Sequence, residues 1–157
     1  MIEIIVAIIA FAMGATLGSF YTLAIYRIPL NKDITHERSF CPNCNHRLEF
    51  LDLIPILSYL FLNGKCRYCG KHIRPRYLII EIVSGIVFTV YILSLRLNYF
   101  NIQIVDIVNI LFGMIYFSIF AITIGIYLER KEINKKVIIF TIIVSIIYIL
   151  YLYILVC

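Results

Sequence analysis

Apolar residues in this chain fall into four long runs, which are separated by segments rich in charged and polar residues. A membrane-spanning helix needs about 20 apolar residues to cross roughly 30 Å of hydrocarbon, and each run has about that length. Glu3 precedes the first run at a place where a secretory signal peptide would carry positive charge, so we expect this run to be retained. The pattern predicts four transmembrane helices, over residues 4–26, 78–95, 104–128 and 137–157.

The composition supports a membrane protein over a soluble one. Of the 157 residues, 62% are hydrophobic and 15% are charged, whereas about half of a soluble domain is apolar. We therefore predict an all-α, polytopic membrane protein with about four transmembrane helices. The expected organisation is a first transmembrane helix over 1–26, a polar segment over 27–77, here called the cysteine loop, and helices 2 to 4 over 78–157.

Lysine and arginine are distributed unevenly among the connecting segments. Nine of the 14 lie in residues 27–77 and four lie in residues 129–136, while Arg96 stands apart. Because cytoplasmic loops carry an excess of basic residues, both segments are predicted to be cytoplasmic. The N-terminus, residues 96–103 and the C-terminus would then face outward. The net charge of +5 follows from this topology, so it indicates the lipid bilayer as a partner and gives no reason to expect nucleic acid.

Two Cys-x2-Cys pairs lie within the cysteine loop: Cys41 with Cys44, and Cys66 with Cys69. The pairs are 21 residues apart and offer four thiolates, which match the ligand count and chemistry of tetrahedral zinc. Disulfides and an iron–sulfur cluster are the alternatives. A reducing cytoplasm disfavours disulfides, and iron–sulfur sites usually space their cysteines more tightly. Four thiolates leave no open coordination position, so the predicted zinc is structural.

Four further residues belong to types that bind metal. His36, His46 and His72 could each replace a cysteine, but with four cysteines at suitable spacing we expect them to be exposed loop residues. Cys157 lies at the end of the fourth apolar run, where it is most simply a small apolar residue.

Two apolar segments predict packing rather than chemistry. Ala10, Gly14 and Gly18 recur every four residues, a stripe of small residues that lets another helix approach closely. Residues 48–62, here called the apolar insert, lie between the cysteine pairs and are too short and too interrupted to span a bilayer. We expect the insert to lie against the membrane face.

Glu81 and Asp106 are acids inside predicted membrane helices. A carboxylate in a membrane span is a candidate functional group, because leaving it charged in lipid is costly. Glu81 lies about one turn inside its helix and could instead pair with Arg74, Arg76 or a lipid headgroup. Asp106 lies near a helix end, from which its side chain could reach water. Both residues are therefore weak candidates for catalysis.

Residues 14–85 carry six short motifs in a fixed order around the cysteine pairs. These are Gly18-Ser19-Phe20, Tyr26-Arg27-Ile28-Pro29, Arg38-Ser39, Asp52-Leu53-Ile54-Pro55-Ile56-Leu57-Ser58-Tyr59-Leu60, Gly64-Lys65-Cys66-Arg67, and Ile73 with Tyr77 and Glu81. Together they resemble the N-terminal half of the bacterial type IV prepilin peptidase and N-methyltransferase family.

The resemblance implies a polytopic aspartic endopeptidase of the bacterial inner membrane. Such enzymes cut the short basic leader from type IV pilins and type II secretion pseudopilins at the cytoplasmic face. Many then methylate the new N-terminus with S-adenosylmethionine, and a cysteine loop is associated with these methylating members. Prepilin or pseudopilin N-termini are thus implied partners, and S-adenosylmethionine is a cofactor by resemblance alone.

The chain departs from the family pattern at the peptidase residues. Family members use two aspartates, one as base while the other is protonated, to activate water. Tyr127 stands at the position of the first aspartate, and the Gly-x-Gly-Asp motif that holds the second does not occur in this sequence. The catalytic residues are therefore unknown, and we predict that the chain alone does not cleave prepilins.

Three functions remain open from the sequence. The first is a shortened prepilin-processing enzyme whose missing carboxylates come from Glu81, Asp106 or a second chain. The second is a protein that binds or methylates pilin N-termini without cutting them. The third is a non-catalytic membrane partner of a separate peptidase half, held together by its zinc loop.

Overall fold

The computed structural model describes residues 1–34, 38–95, 101–131 and 135–156, and these are helical except in the cysteine loop and at the connections. Two short 3-10 turns, Ile28–Leu30 and Phe50–Asp52, accompany the α-helices. The α-helices are α1 (Ile2–Arg27), α2 (Leu57–Phe61), α3 (Arg76–Ser94), α4 (Ile104–Arg130) and α5 (Lys135–Val156).

Four helices in the described part of the chain, α1, α3, α4 and α5, are long and apolar enough to cross a membrane. The helix α3, for example, has 19 residues and so spans about 28 Å at a rise of about 1.5 Å per residue. The four cysteines lie between the first and second of these helices. The predicted fold class, an all-α multi-pass membrane protein with a cysteine loop after its first span, is confirmed.

The chain divides into two compact units, Met1–Leu97 and Asn98–Cys157. The first contains α1, the cysteine loop and α3, and the second contains α4 and α5.

Helices α1 and α3 pack closely through glycine. A Cβ on Gly14 would lie 2.6 Å from the carbonyl oxygen of Ser84 and 2.7 Å from the Cβ of Phe88. A Cβ on Gly18 would lie 2.9 Å from the Cα of Glu81. Later residues of α1 thus meet earlier residues of α3, so the two helices are antiparallel. The predicted stripe of small residues is the buried contact face between them.

The end of α1 is fixed to the cysteine loop by a buried arginine. Arg27 is 4% exposed, and its guanidinium donates hydrogen bonds to the carbonyl oxygens of Asp33, at 2.8 Å, and of Arg38, at 3.3 Å. After α1, the turn at Ile28–Leu30 ends at Asn31, whose φ of 51° lies in the left-handed region. The chain therefore turns back under the helix end, where Arg27 binds it.

In the second unit, α4 and α5 meet through aromatic rings. Phe112 of α4 lies 4.7 Å from the ring of Tyr148 and 6.2 Å from that of Tyr151, both on α5. Hydroxyl groups on these helices bond to carbonyl oxygens one turn earlier, as Ser118 does to Met114 at 2.7 Å. Such bonds satisfy polar groups that have no water available in a bilayer.

Candidate metal centre and loop anchor

Each cysteine pair sits in a tight turn with the same backbone hydrogen bonds. In the first, residues 40–47, the amide of Cys41 donates to the carbonyl oxygen of His46 at 2.9 Å, and the amide of Asn45 donates to that of Cys41 at 2.8 Å. The second, residues 65–72, repeats the pattern 25 residues later. There the amide of Cys66 donates to Lys71 at 2.9 Å and the amide of Gly70 donates to Cys66 at 2.9 Å. We call these the first and second knuckles.

The repeat extends to the backbone conformation and to the flanking residues. Asn45 and Gly70 occupy equivalent positions, with φ angles of 56° and 68° in the left-handed region that asparagine and glycine tolerate. Antiparallel bridges close the two knuckles, between Phe40 and Arg47 in the first and between Lys65 and His72 in the second. The sequence places the ligands, and these two left-handed residues let each turn close.

The knuckles bring the four cysteine sulfurs together. All four Sγ atoms lie within 4.8 Å of one another, and those of Cys41 and Cys69 are 4.0 Å apart. Zinc–sulfur bonds of about 2.3 Å in a tetrahedron would place the sulfurs about 3.8 Å apart. A disulfide bond needs about 2.05 Å, so all four side chains are free thiols. The thiols fit a tetrahedral metal ion, and zinc bound there would join the two knuckles and stabilise the fold of the loop.

The thiols differ in how easily they lose a proton. Burial of Cys41 opposes its ionisation. Hydrogen bonds from the backbone of Cys44 and Asn43 and from the thiols of Cys66 and Cys44 outweigh burial and lower the pKa of Cys41 to about 7. A hydrogen bond from the backbone of His46 favours the Cys44 thiolate. Lost solvation and the thiols of Cys41 and Cys69 oppose it, and together they raise the pKa of Cys44 to about 11. Negative charge on one sulfur thus opposes charge on the next, and a divalent cation would remove this conflict.

A polar cluster ties the apolar insert to the second knuckle. The guanidinium Nε of Arg67 lies 2.8 Å from Oδ1 of Asp52, and the hydroxyl of Tyr68 donates to Oδ2 of Asp52 at 3.1 Å. Lost solvation and this bond to Asp52 raise the pKa of Tyr68. The ring of Tyr68 also contacts the ring of His46, with centroids 3.6 Å apart and planes tilted by 31°. Tyr68 therefore joins the first knuckle, the second knuckle and the insert.

The insert is also fixed to α3 through Glu81. This residue is 8% exposed, and its Oε2 accepts a 2.7 Å hydrogen bond from the backbone amide of Ile56. Its carboxylate also accepts a hydrogen bond from the Ser19 side chain of α1. Ile56 has a φ of 64° and a ψ of −53°, a strained conformation for a β-branched residue. The carboxylate thus joins α1, α3 and the residue that precedes α2.

Asp106, the other candidate for catalysis, and Tyr127, at the family's aspartate position, lie at opposite ends of α4. Asp106 caps the first turn, where its Oδ2 accepts a 3.0 Å hydrogen bond from the backbone amide of Gln103. Tyr127 lies 21 residues further on, about 32 Å along the helix axis, and its ring faces the amino group of Lys131 at 5.5 Å. Asp106 therefore has a structural role as a helix cap, and it does not meet the position of Tyr127.

The structure describes two of the three histidines, and neither is grouped with the four cysteines. The ring of His46 contacts that of Tyr68, and His72 closes the second knuckle through its backbone bridge to Lys65. The grouped metal-binding atoms among the described residues are those of the four cysteines. His36 and Cys157 lie outside the described residues.

Sequence reasoning missed three residues that hold the site together. Asp52, Ile56 and Arg27 were noted only as parts of motifs, and no neighbouring residue marks the positive φ of Ile56. The available signal was weak for each. Asp52 is an acid within the apolar insert, and Arg27 is a cation at a helix end, where most arginines reach water.

Comparison with known proteins gives matches over the first unit. The family model for the bacterial peptidase A24 N-terminal domain matches residues 12–95. Three relatives are each named prepilin leader peptidase/N-methyltransferase. The relative from Myxococcus xanthus is 42% identical over 82 residues, which are 52% of this chain and 24% of the relative. The relative from Bacillus subtilis is 48% identical over 80 residues, which are 51% of this chain and 32% of the relative.

Of these three matches, the alignment with the Vibrio cholerae relative is the longest, with 38% identity over 101 aligned positions, and it covers 59% of this chain and 40% of the relative. The matched part of the chain thus spans less than half the length of these relatives. No solved structure matches the chain.

Proposed function

The chain belongs to the bacterial peptidase A24 N-terminal domain family, and from this membership we propose that it acts in prepilin processing. Its substrates would be the N-terminal regions of type IV pilin or type II secretion pseudopilin precursors. The names of the relatives, prepilin leader peptidase/N-methyltransferase, support this class of substrate.

One observation carries the proposal: the family match and the structural site coincide. Residues 12–95 include α1, both knuckles, the insert and α3. Within this segment the four thiols meet, and Arg27 and Glu81 fix the loop to the two helices. A loop held at both helices and by a metal is a rigid platform on which a flexible peptide leader could be oriented.

We propose that the cysteine loop faces the cytoplasm and that the N-terminus faces outward, in the bacterial inner membrane. The support is the charge distribution, with nine of 14 basic residues in 27–77. Reduced thiols in that compartment suit a zinc site. The metal would be structural, because Cys41, Cys44, Cys66 and Cys69 together fill all four positions of a tetrahedral zinc ion.

Cleavage would need a pair of carboxylates, and we propose that these are supplied by a peptidase segment that carries the Gly-x-Gly-Asp motif, whether in the same polypeptide or in a separate one. Tyr127 stands where the family has its first aspartate, and the described partners of Glu81 are hydrogen-bond donors, the Ile56 amide and the Ser19 side chain. In this proposal residues 12–95 contribute the leader-binding platform, and the peptidase segment activates water.

The test is a cleavage assay on a prepilin in membranes. We expect the chain alone to give no cleaved product, and the chain together with a peptidase half that carries the Gly-x-Gly-Asp segment to give cleavage. The peptidase half alone, and a mixture containing the Cys41→Ser variant, serve as controls. Cleavage by the chain alone that is lost in Glu81→Ala or Asp106→Ala would overturn the division of labour and place the carboxylates in this chain.

A second candidate is a protein that binds or methylates pilin N-termini without cutting them. The family's paired activity, peptidase and N-methyltransferase, favours it. S-adenosylmethionine would be its methyl donor, and we assign no residue to that cofactor. Binding of S-adenosylmethionine and transfer of a labelled methyl group to a mature pilin peptide, without cleavage of the precursor, would select this function.

A further inference from the structure

The apolar insert carries exposed side chains of a kind that water-soluble surfaces avoid. Phe50 and Phe61 are each 81% exposed, and four leucines beside them are 40% to 58% exposed. The 3-10 turn that bears Phe50 contacts α2, which bears Phe61. We call these residues the apolar cap. They are Phe50, Leu51, Leu53, Leu57, Leu60 and Phe61.

The cap belongs to one side of α2. Leu57, Leu60 and Phe61 follow the i, i+3, i+4 spacing that places side chains on one face of a helix, and all three are exposed. Tyr59 is half-buried instead, and its hydroxyl donates to the carbonyl oxygen of Ile73 at 3.4 Å. A Cβ on Gly64 would lie 2.8 Å from that hydroxyl, so Tyr59 packs against the start of the second knuckle. The exposed face of α2 therefore points away from this contact.

The hydrogen bond between Ile56 and Glu81 sets the depth of the cap. Glu81 is the sixth residue of α3, about 7.5 Å along the axis from its first residue. At about 28 Å, α3 is barely as long as the hydrocarbon core is thick, so its second turn lies at or near the hydrocarbon boundary. Ile56, which directly precedes α2, bonds to Glu81 at 2.7 Å. The start of α2 is thus held at membrane depth.

We propose that the apolar cap inserts into the lipid bilayer at the boundary between headgroups and acyl chains, so that the cysteine loop has its own membrane anchor. The depth set by Glu81 favours lipid as the occupant. Two exposed basic residues, Arg47 and Lys65, flank the insert in the sequence and suit anionic headgroups, and the exposed acid Glu49 beside Phe50 offsets part of this charge. The anchor rests on the spans and on α2, and it does not depend on the proposed role in prepilin processing.

The chain has no tryptophan, so a single introduced tryptophan reports on its own surroundings. We would prepare the full chain with Phe61→Trp, with Leu60→Trp and, as a control, with Asn43→Trp on the exposed surface of the first knuckle. Each variant is placed in phosphatidylcholine and phosphatidylglycerol vesicles, with and without bromine on the acyl chains near the headgroups. Zinc content shows that each variant retains its folded loop.

We expect both cap variants to give blue-shifted emission and to lose much of their intensity in brominated vesicles, while Asn43→Trp emits as in water and is barely quenched. Cap variants that are quenched no more than Asn43→Trp and emit as in water would overturn the proposal by placing the cap in solvent. Blue-shifted emission without quenching would overturn it too, because the cap would then be covered by protein.

Discussion

The backbone amide of Ile56 and the carboxylate of Glu81, 25 residues apart in the sequence, are joined by a 2.7 Å hydrogen bond at the junction between the cysteine loop and α3. An acid inside a membrane helix here binds a main-chain donor in the loop. The pair couples the position of the insert to the helix. The partly buried amide of Ile56 needs an acceptor, and the buried carboxylate of Glu81 needs a donor.

Replacing Glu81 tests this coupling. Glu81→Ala removes the acceptor and leaves the partly buried amide of Ile56 unpaired, which should lower stability by about 1–3 kcal/mol. Glu81→Gln keeps a side-chain oxygen that can accept the bond, so its loss should be smaller. Thermal unfolding in detergent and hydrogen exchange of the Ile56 amide measure both effects. Glu3→Ala, an exposed acid in the first turn of α1, is the control. Equal stability of Glu81→Ala and the wild type would contradict the coupling.

Replacing a ligand cysteine should remove the metal. We expect about one equivalent of zinc per chain in the wild type, and little or none in Cys41→Ser or Cys66→Ser, because each side chain holds one corner of the site. Elemental analysis of the purified protein gives the result. Cys157→Ser is a matched control that makes the same change at a cysteine outside the four, and it should keep its zinc. A folded wild-type protein without metal would refute the site.

The affinity for zinc should rise with pH. Without metal, Cys44 keeps its proton up to about pH 11, so zinc must displace it at neutral pH. Affinity then increases about tenfold per pH unit for each displaced proton. Below about pH 7 the Cys41 thiol is protonated as well, so the fall in affinity should steepen there. Competition with a chelator across neutral pH measures the slope. An affinity that does not change with pH would exclude thiolate ligation.

The contact between α1 and α3 should tolerate no added bulk. Gly14→Ala would place a methyl group 2.6 Å from the carbonyl oxygen of Ser84, which forces the helices apart and should cost about 1–3 kcal/mol. Ala12→Val adds bulk on the exposed face of the same helix and should have little effect. Thermal unfolding of the two variants in detergent compares them. A Gly14→Ala variant as stable as Ala12→Val would mean that the two helices do not meet at Gly14.

Asp52 should slow the loss of zinc, because it ties the insert to Arg67 and Tyr68 next to two ligands. Arg67 is about half exposed, so solvent screens its ion pair with Asp52. We therefore expect Asp52→Ala to lower the stability of the metal-bound loop by only about 1 kcal/mol, which corresponds to a severalfold faster release of zinc to a chelator. Asp52→Asn can still accept from Tyr68 and should lie between Asp52→Ala and the wild type. Release at the wild-type rate in both variants would show that the cluster does not support the metal centre.

The sequence predicted what depends on local patterns. A 20-residue apolar run must be helical in a membrane, and two Cys-x2-Cys pairs must close on one another to share a metal, so the four spans and the metal centre were both accessible. The ends of the helices were less certain. Helix α3 begins at Arg76, two residues before the predicted start, because a long cationic side chain at a helix end can reach the interface while its backbone stays helical.

The contacts that fix the loop could not be predicted, because they join side chains to distant backbone groups. Arg27 binds carbonyl oxygens, and Glu81 binds the amide of Ile56, whose left-handed φ is unusual for isoleucine. Any residue supplies such a backbone group, so no residue type marks the partner. The sequence identified Glu81 as a membrane acid, and expected arginine, a headgroup or a reaction as its explanation. Its described partners are instead the Ile56 amide and Ser19.

The two knuckles share one backbone structure. Their backbone hydrogen bonds and left-handed residues match position for position at an offset of 25 residues, so the same backbone arrangement holds both pairs of cysteines. What differs is the side chains between the ligands: the second knuckle carries Arg67 and Tyr68, which bind Asp52, where the first carries Pro42 and Asn43. Because the backbone frame recurs while these side chains differ, substitutions at 42, 43, 67 and 68 would change the surface of the loop and leave the backbone bonds around the sulfurs in place.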